Sequence, residues 1–266
     1  MNVVYEHIES STRHYHGITV DESESTKLLK GAVKDNLIDR DQRNELLDSL
    51  LTLRADTGFN SKEQLLADIQ ALENNEVSAQ QFRIGEAFAE IILEEHFECR
   101  FHWNELRDAR NPKGNKTGAD LVGFIEIDGQ VLFLFGEVKT SSEKSYPPQV
   151  MTYEKGMEKQ LCDLCDKSYK RRILISYLQN KARMFMEDHP FREDFNASLK
   201  AYYSSNGNYH LTGVLVRDTE PIDKDVSESY LRIKEQILEP TGLKLLALYV
   251  PVKKSEWLKI MNEIKE

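Results

Sequence analysis

The sequence predicts an α/β fold, a central mixed β-sheet flanked by helices, with a mostly helical N-terminal part. Three observations carry this. Residues 119–127 and 130–139 are strand-like runs joined by Asp128-Gly129, a strong hairpin signal because a type I′ turn needs positive φ at both central residues. Both faces of that hairpin are apolar. Val122, Phe124, Val131, Phe133 and Phe135 line one, and Leu121, Ile125, Ile127, Leu132, Leu134 and Val138 the other. Strands covered on both sides belong to a sheet between helical layers. Finally, helix-spaced and strand-like segments alternate from about residue 78.

Taken in order, residues 1–77 read as a helical accessory or partner-binding region after a short extended start at Gly17-Ile-Thr-Val20. Leu28, Leu29 and Val33, then Leu46, Leu47, Leu50 and Leu51, recur at helical spacing. Ser61-Lys-Glu-Gln64 has the form of a capping box, with Ser61 as cap. Residues 78–266 form the second unit. A helix is expected over 78–97 and strands over 98–103, 119–127 and 130–139. Pro147-Pro148 then precedes a helix over 149–167. Helices follow at 171–187 and 190–203. Strands at 209–217 and 243–250 are separated by a helix, and a last helix covers 255–265.

The chain has 266 residues, 40% apolar and 30% charged, a composition of soluble globular proteins. No run approaches the roughly 18 apolar residues of a membrane span. The start, Met1-Asn-Val-Val-Tyr-Glu-His7, lacks a basic region followed by an apolar core, so no secretory signal is expected. Cys99, Cys162 and Cys165 are too few for a disulfide framework and suit a reducing cytoplasm. Cys162-Asp-Leu-Cys165 falls inside a helix and reads as two ordinary helix-face cysteines. His14, His16, His96 and His102 lack zinc spacing.

The net charge of −10 opposes nucleic-acid binding by bulk attraction. Its distribution does not. Arg100, Arg107, Arg110, Lys113 and Lys116 form one basic run, and Lys167 with Lys170, Arg171 and Arg172 another. Each run reads equally well as solvated surface.

Chemistry concentrates in the hairpin. If Ile127 and Gln130 flank the turn, paired residue numbers sum to 257 and Asp120 lies opposite Glu137. The strand period puts Lys139 on the same face. Facing carboxylates repel, and a divalent cation between them removes that conflict. Upstream, the 78–97 helix carries a stripe of Phe82, Glu86, Ala89 and Leu93, in which Glu86 is the one acid. Glu90, one turn on, is the rival candidate.

Glu86…Asp120…Glu137-Val138-Lys139 resembles the PD-(D/E)XK nuclease superfamily over residues 78–165, with Ala119 in place of the proline. The resemblance implies a restriction-endonuclease-like core and Mg²⁺-dependent hydrolysis of DNA, with Mn²⁺ as substitute. It implies metal held by Asp120, Glu137, the Val138 carbonyl and Glu86, with Lys139 assisting the attacking water. Gln160, in Glu158-Lys-Gln-Leu161, resembles the Gln-Leu element of RecB-like members, with Gln149 as alternative. A second Glu-x-Lys, at Glu263-Ile-Lys265, has no strand and no opposing acid and is read as chance. The layout of Gly85-Glu86, Gly118-Ala-Asp120 and Gly136-Glu137-Val-Lys139-Thr-Ser more narrowly resembles the HamA nuclease subunits of Hachiman-type antiphage defence and their Abp-system relatives. That resemblance implies DNA as substrate, little sequence specificity and a superfamily 2 helicase partner. The alternatives are a restriction or junction-resolving enzyme of the same superfamily, or a non-catalytic nuclease-fold sensor or adaptor.

Overall fold

The structure, a computed structural model of the chain, describes residues 1–56, 63–74, 76–108, 118–204 and 207–263. In chain order its elements are β1 (Asn2–Ser10), β2 (Arg13–Thr19), α1 (Glu22–Lys30), α2 (Ala32–Leu37), α3 (Arg40–Ala55), α4 (Glu63–Glu73), α5 (Gln81–His96) and β3 (Cys99–Arg100). Then come β4 (Leu121–Ile127), β5 (Gln130–Ser141), α6 (Gln149–Thr152), α7 (Met157–Asp166), α8 (Ser168–Ala182) and α9 (Pro190–Ser204). Last are β6 (His210–Arg217), α10 (Ser227–Lys234), β7 (Gly242–Tyr249) and α11 (Trp257–Asn262). Ser61, Arg110, Lys113, Lys116 and residues 264–265, all singled out in the sequence, lie outside the described residues.

The α/β expectation holds. A seven-stranded mixed sheet runs in the order β1-β2-β7-β6-β5-β4-β3. β2, β7, β6 and β5 are mutually parallel, with antiparallel β1 at one edge and β4 and β3 at the other. β6 and β7 are buried along their whole length, as strands roofed on both faces must be. On one face Phe88 and Ile92 of α5 pack with Leu134, Val214, Leu246 and Trp257. On the other, Leu161, Leu178 and Phe195 pack with Phe133, Phe135, Leu215 and Leu245.

The N-terminal part is mostly helical, as expected, but opens with more strand than its sequence signals. Only a short extended start was legible, yet residues 2–19 form a hairpin whose second strand joins β7. β1 is an edge strand with Val3, Val4 and Ile8 exposed, so it has no buried face to imprint an alternation. Gly17 makes the pairing possible, because a Cβ there would stand 2.2 Å from the Tyr5 ring. Residue 77 therefore separates helices from the rest of the chain but does not separate the sheet. The expected 149–167 helix is two helices. Gly156 packs where a Cβ would meet the Met151 carbonyl at 2.7 Å. The 98–103 strand shrinks to Cys99–Arg100. Among the described residues no helix is long and apolar enough to cross a membrane.

Polar groups meet at the amino ends of the parallel strands. His14 of β2 and Thr212 of β6 flank Lys244 of β7. Burial, then Lys244, pushes His14 down to about 4. Burial pushes Lys244 down to about 8, and burial and Lys244 hold His16 and His210 below the usual histidine range. A folded-state pKa below the unfolded one means that the unfolded chain binds more protons on acidification. Stability contributed by neutral His14 is thus full above about pH 6.5 and is lost as pH falls toward 4. The urea midpoint should fall across that window, and Lys244→Met should flatten the fall. An unchanged slope in the variant would show that Lys244 does not set these histidines.

Candidate active site

The β4–β5 ladder runs from Ile127↔Gln130 to Leu121↔Gly136, the register the sequence predicts. Its turn has φ of 52° at Asp128 and 75° at Gly129, the positive pair a type I′ turn requires. The ladder ends one residue before the two acids, and Asp120 continues it by other means. Its backbone N–H donates to the Gly136 carbonyl at 2.9 Å, and its carboxylate accepts the Val138 N–H at 2.9 Å. A side chain thus replaces the next backbone carbonyl. Gly136 permits the close approach of β6, since a Cβ would lie 2.2 Å from the Thr212 carbonyl oxygen.

Glu137 is 2% exposed. Lys139 Nζ donates to its Oε2 at 3.0 Å and stands 3.7 Å from Asp120 Oδ2. Burial, then the Asp120 charge, pushes the Glu137 carboxyl up to about 8, against the pull of Lys139. Burial works against the charge on Lys139, but Glu137 and Asp120 outweigh it and raise the lysine above its ordinary value. The raised Glu137 carboxyl marks a position that favours a proton or a further cation.

The donors fit a hard divalent ion, which prefers carboxylate and carbonyl oxygens. Within a strand, a residue's N–H and C=O point to the same edge. The Val138 N–H goes to Asp120, so the Val138 carbonyl faces that edge too, beyond Leu121, the first residue of β4. Among the described residues there is no group of three or more His, Cys, Asp or Glu side chains that could hold a metal.

The helix acids are elsewhere. Glu137 and Lys139 share a face with Phe133 and Phe135, under α7 to α9. α5 lies on the opposite face with Val138 and crosses β5 where Gly85 abuts Thr140, whose Oγ1 would be 2.1 Å from a Cβ. Glu86 is 7% exposed, as its stripe implies, and accepts from Arg83 Nη1 at 2.9 Å. Glu90 is less buried and accepts from Asn36 Nδ2 at 2.9 Å. Both line a cavity of about 260 Å³ beside Asn36, Asn104 and Glu105. The structure thus unites Asp120, Glu137 and Lys139 and sets Glu86 and Glu90 along another wall. Gln160 stands on α7, which packs on β5 and β6, with Oε1 buried and without a hydrogen bond. Gln149 is exposed, and its backbone N–H goes to Glu143.

The described basic residues serve mainly internal ties. Arg107 grips Asp39 with two hydrogen bonds at 2.7 and 2.9 Å. Arg100 pairs with Asp194 and Glu126. Lys167 and Lys170 both pair with Asp163, and Arg171 caps the carbonyl end of α7 at Leu164 and Cys165. Arg172 is exposed. Cys162 and Cys165 are free thiols on α7, as expected.

One supporting element was not legible. Arg217, buried at the end of β6, pairs with Asp225 and donates to the carbonyls of Glu143 and Ser145. It holds the loop that follows β5. An arginine closing an apolar strand is the only sequence signal, and it names no partner.

An α/β sheet with a paired-carboxylate and lysine cluster at the end of a buried hairpin defines the class of site. The chain matches no family model, no curated protein and no solved structure.

Removing one partner of a buried ion pair leaves the other uncompensated, at a cost of about 3–5 kcal/mol. Arg217→Met should lower the unfolding free energy by about that amount, measured by urea titration. A loss under about 1 kcal/mol, the range of an exposed pair, would mean the pair is solvated.

Proposed function

We propose that this chain is a divalent-metal-dependent deoxyribonuclease of the PD-(D/E)XK type. The observation that carries the reading is the contact of Asp120, Glu137 and Lys139 at the end of a buried hairpin. Asp120 and Glu137 would hold Mg²⁺ or Mn²⁺, with the Val138 carbonyl as a third oxygen. Such an ion supplies Lewis-acid charge to a phosphate and favours ionisation of water. Lys139 sets a second cation at the same point, where it can donate to a phosphate oxygen and stabilise charge that develops during displacement. In this reading Glu86 acts through water or on the cation from the α5 side, and Gln160 positions substrate or water. Contacts to the DNA backbone fix register without reading sequence, so cleavage has little sequence specificity.

The narrower proposal is an effector nuclease of bacterial antiphage defence, acting in the cytoplasm under a superfamily 2 helicase. Its support is the motif layout together with α3. No residue of α3 is buried, and Leu46, Leu51 and Leu53 are exposed, which suits a surface that a partner covers.

Purified Glu137→Ala/Lys139→Ala protein should keep its fold by circular dichroism and lose Mg²⁺-dependent cleavage of plasmid DNA by at least about 100-fold, since the first change removes a ligand of the cation and the second a group that stabilises charge in the transition state. Cleavage at the wild-type rate would remove the site. Between the helix acids, Glu86→Gln should lower the rate more than Glu90→Gln. The reverse order would move the role to Glu90.

A further inference from the structure

The parallel strands end in a row. Ser141 of β5 pairs with Arg217 of β6, Arg217 with Tyr249 of β7, and Tyr249 with Thr19 of β2. Open α/β sheets take ligands outside the carboxyl ends of such strands. A crevice of about 550 Å³ opens there, walled by Lys144 and Tyr146 after β5, Asp218 and Thr219 after β6, and Lys253 after β7. The strand that carries the acid–lysine cluster leads to it. Lys139 precedes Ser141 by two residues on the same face, and a rise of ~3.3 Å per residue with a strand spacing of ~4.8 Å puts Arg217 roughly 8 Å from it.

The crevice is built from fixed parts. Arg217 clamps the loop that carries Lys144 and Tyr146 through the Glu143 and Ser145 carbonyls. The Tyr249 hydroxyl donates to Asp225 at 2.8 Å and accepts from the Ile222 N–H at 3.1 Å. Two buried polar atoms of lining residues have no hydrogen bond. One Asp218 carboxylate oxygen accepts from the Lys254 N–H at 2.9 Å, but Oδ1 has no partner, and neither does Arg217 Nε. Unpaired buried polar atoms are costly, and a ligand that pairs with them recovers the cost. Above them Tyr146 is 52% exposed, with the Lys224 ammonium 5.9 Å from its ring centroid. Lys144 and Lys253 are exposed beside it, Lys253 Nζ donating one hydrogen bond to the Asp218 carbonyl at 2.8 Å, against one exposed rim acid, Glu220.

An exposed aromatic face, flanking ammonium groups and an unpaired acceptor below are the elements that hold an unstacked base. We propose that this crevice is a subsite for one unpaired nucleotide of the strand presented to Asp120, Glu137 and Lys139. The base stacks on Tyr146, its N–H donors face Asp218, and its phosphate lies near Lys144 and Lys253. A base paired in a duplex cannot lay its face on Tyr146, so the subsite selects single strands. This rests on the nuclease reading above.

The test is fluorescence anisotropy in EDTA, with a labelled single-stranded oligodeoxynucleotide and the blunt duplex of the same sequence. Tyr146 is exposed, so Tyr146→Ala leaves the fold intact. It should weaken single-strand binding about tenfold, the effect of losing one stacked base, and leave duplex binding unchanged. Tyr146→Phe should retain wild-type affinity. Unchanged single-strand affinity in Tyr146→Ala, or an equal loss on both DNAs, overturns the subsite. Cleavage with Mg²⁺ is followed in parallel. A wild type that cuts while Tyr146→Ala binds normally removes the subsite alone. A wild type that neither binds nor cuts either DNA removes the nuclease reading with it.

Discussion

The Asp120 carboxylate accepts the Val138 N–H, and the character of the site follows from that bond. It fixes one acid against the strand that carries the other. Were both ionised, unit charges of like sign about 4 Å apart would repel by about 4 kcal/mol at an effective dielectric near 20, more than a hydrogen bond of this kind contributes. The acids stay together because β5 is locked between β4 and β6, so neither can withdraw without breaking ladder bonds. The conflict is expressed as a raised Glu137 pKa and a retained Lys139 charge. Backbone geometry creates the site, and electrostatics sets what the site attracts.

The two ends of the parallel strands differ in how they treat charge. At the amino ends Lys244 lies under the Phe97 ring, its ammonium 4.4 Å from the centroid, with His14 and Thr212 on the flanking strands, and burial drives Lys244 and His14 toward neutrality. Arg217 meets Asp225 at the carboxyl end of β6, and Lys139 meets Glu137 beside the middle of that strand. The two systems lie on opposite faces of the sheet, Lys244 with Leu246 and Leu248 and the acid–lysine cluster with Phe133 and Phe135. The loops after β5, β6 and β7 converge at the carboxyl ends.

What the sequence disclosed depended on whether a pattern was local. The register was legible because Asp128-Gly129 admits one tight turn and the flanking strands are short enough to count. Burial of Glu86 followed from its stripe. The face that receives α5 did not, since periodicity shows which side of a helix is buried and leaves open which side of the sheet it covers. Arg107 read as a candidate phosphate contact and proved to be a tie to Asp39, because a salt partner 68 residues away leaves no mark on the local charge pattern. β1 was missed for the opposite reason. As an edge strand it obeys no burial rule, and its side-chain ties, Tyr5 to Tyr249 and Glu9 to Lys234, run to residues more than 200 positions away.

The pairing of β2 with β7 has a consequence for the birth of the molecule. Residues 13–19 reach their place only when residues 242–249 exist. At about 5–20 residues per second, the first strands wait roughly 10–50 s on the ribosome for their neighbour, with Val3, Val4 and Ile8 in water throughout. β4 and β5 can meet far earlier, through a two-residue turn. A truncated product that stops before β7 lacks the strand that joins β2 to β6, so the β1–β2 hairpin has no place in its sheet.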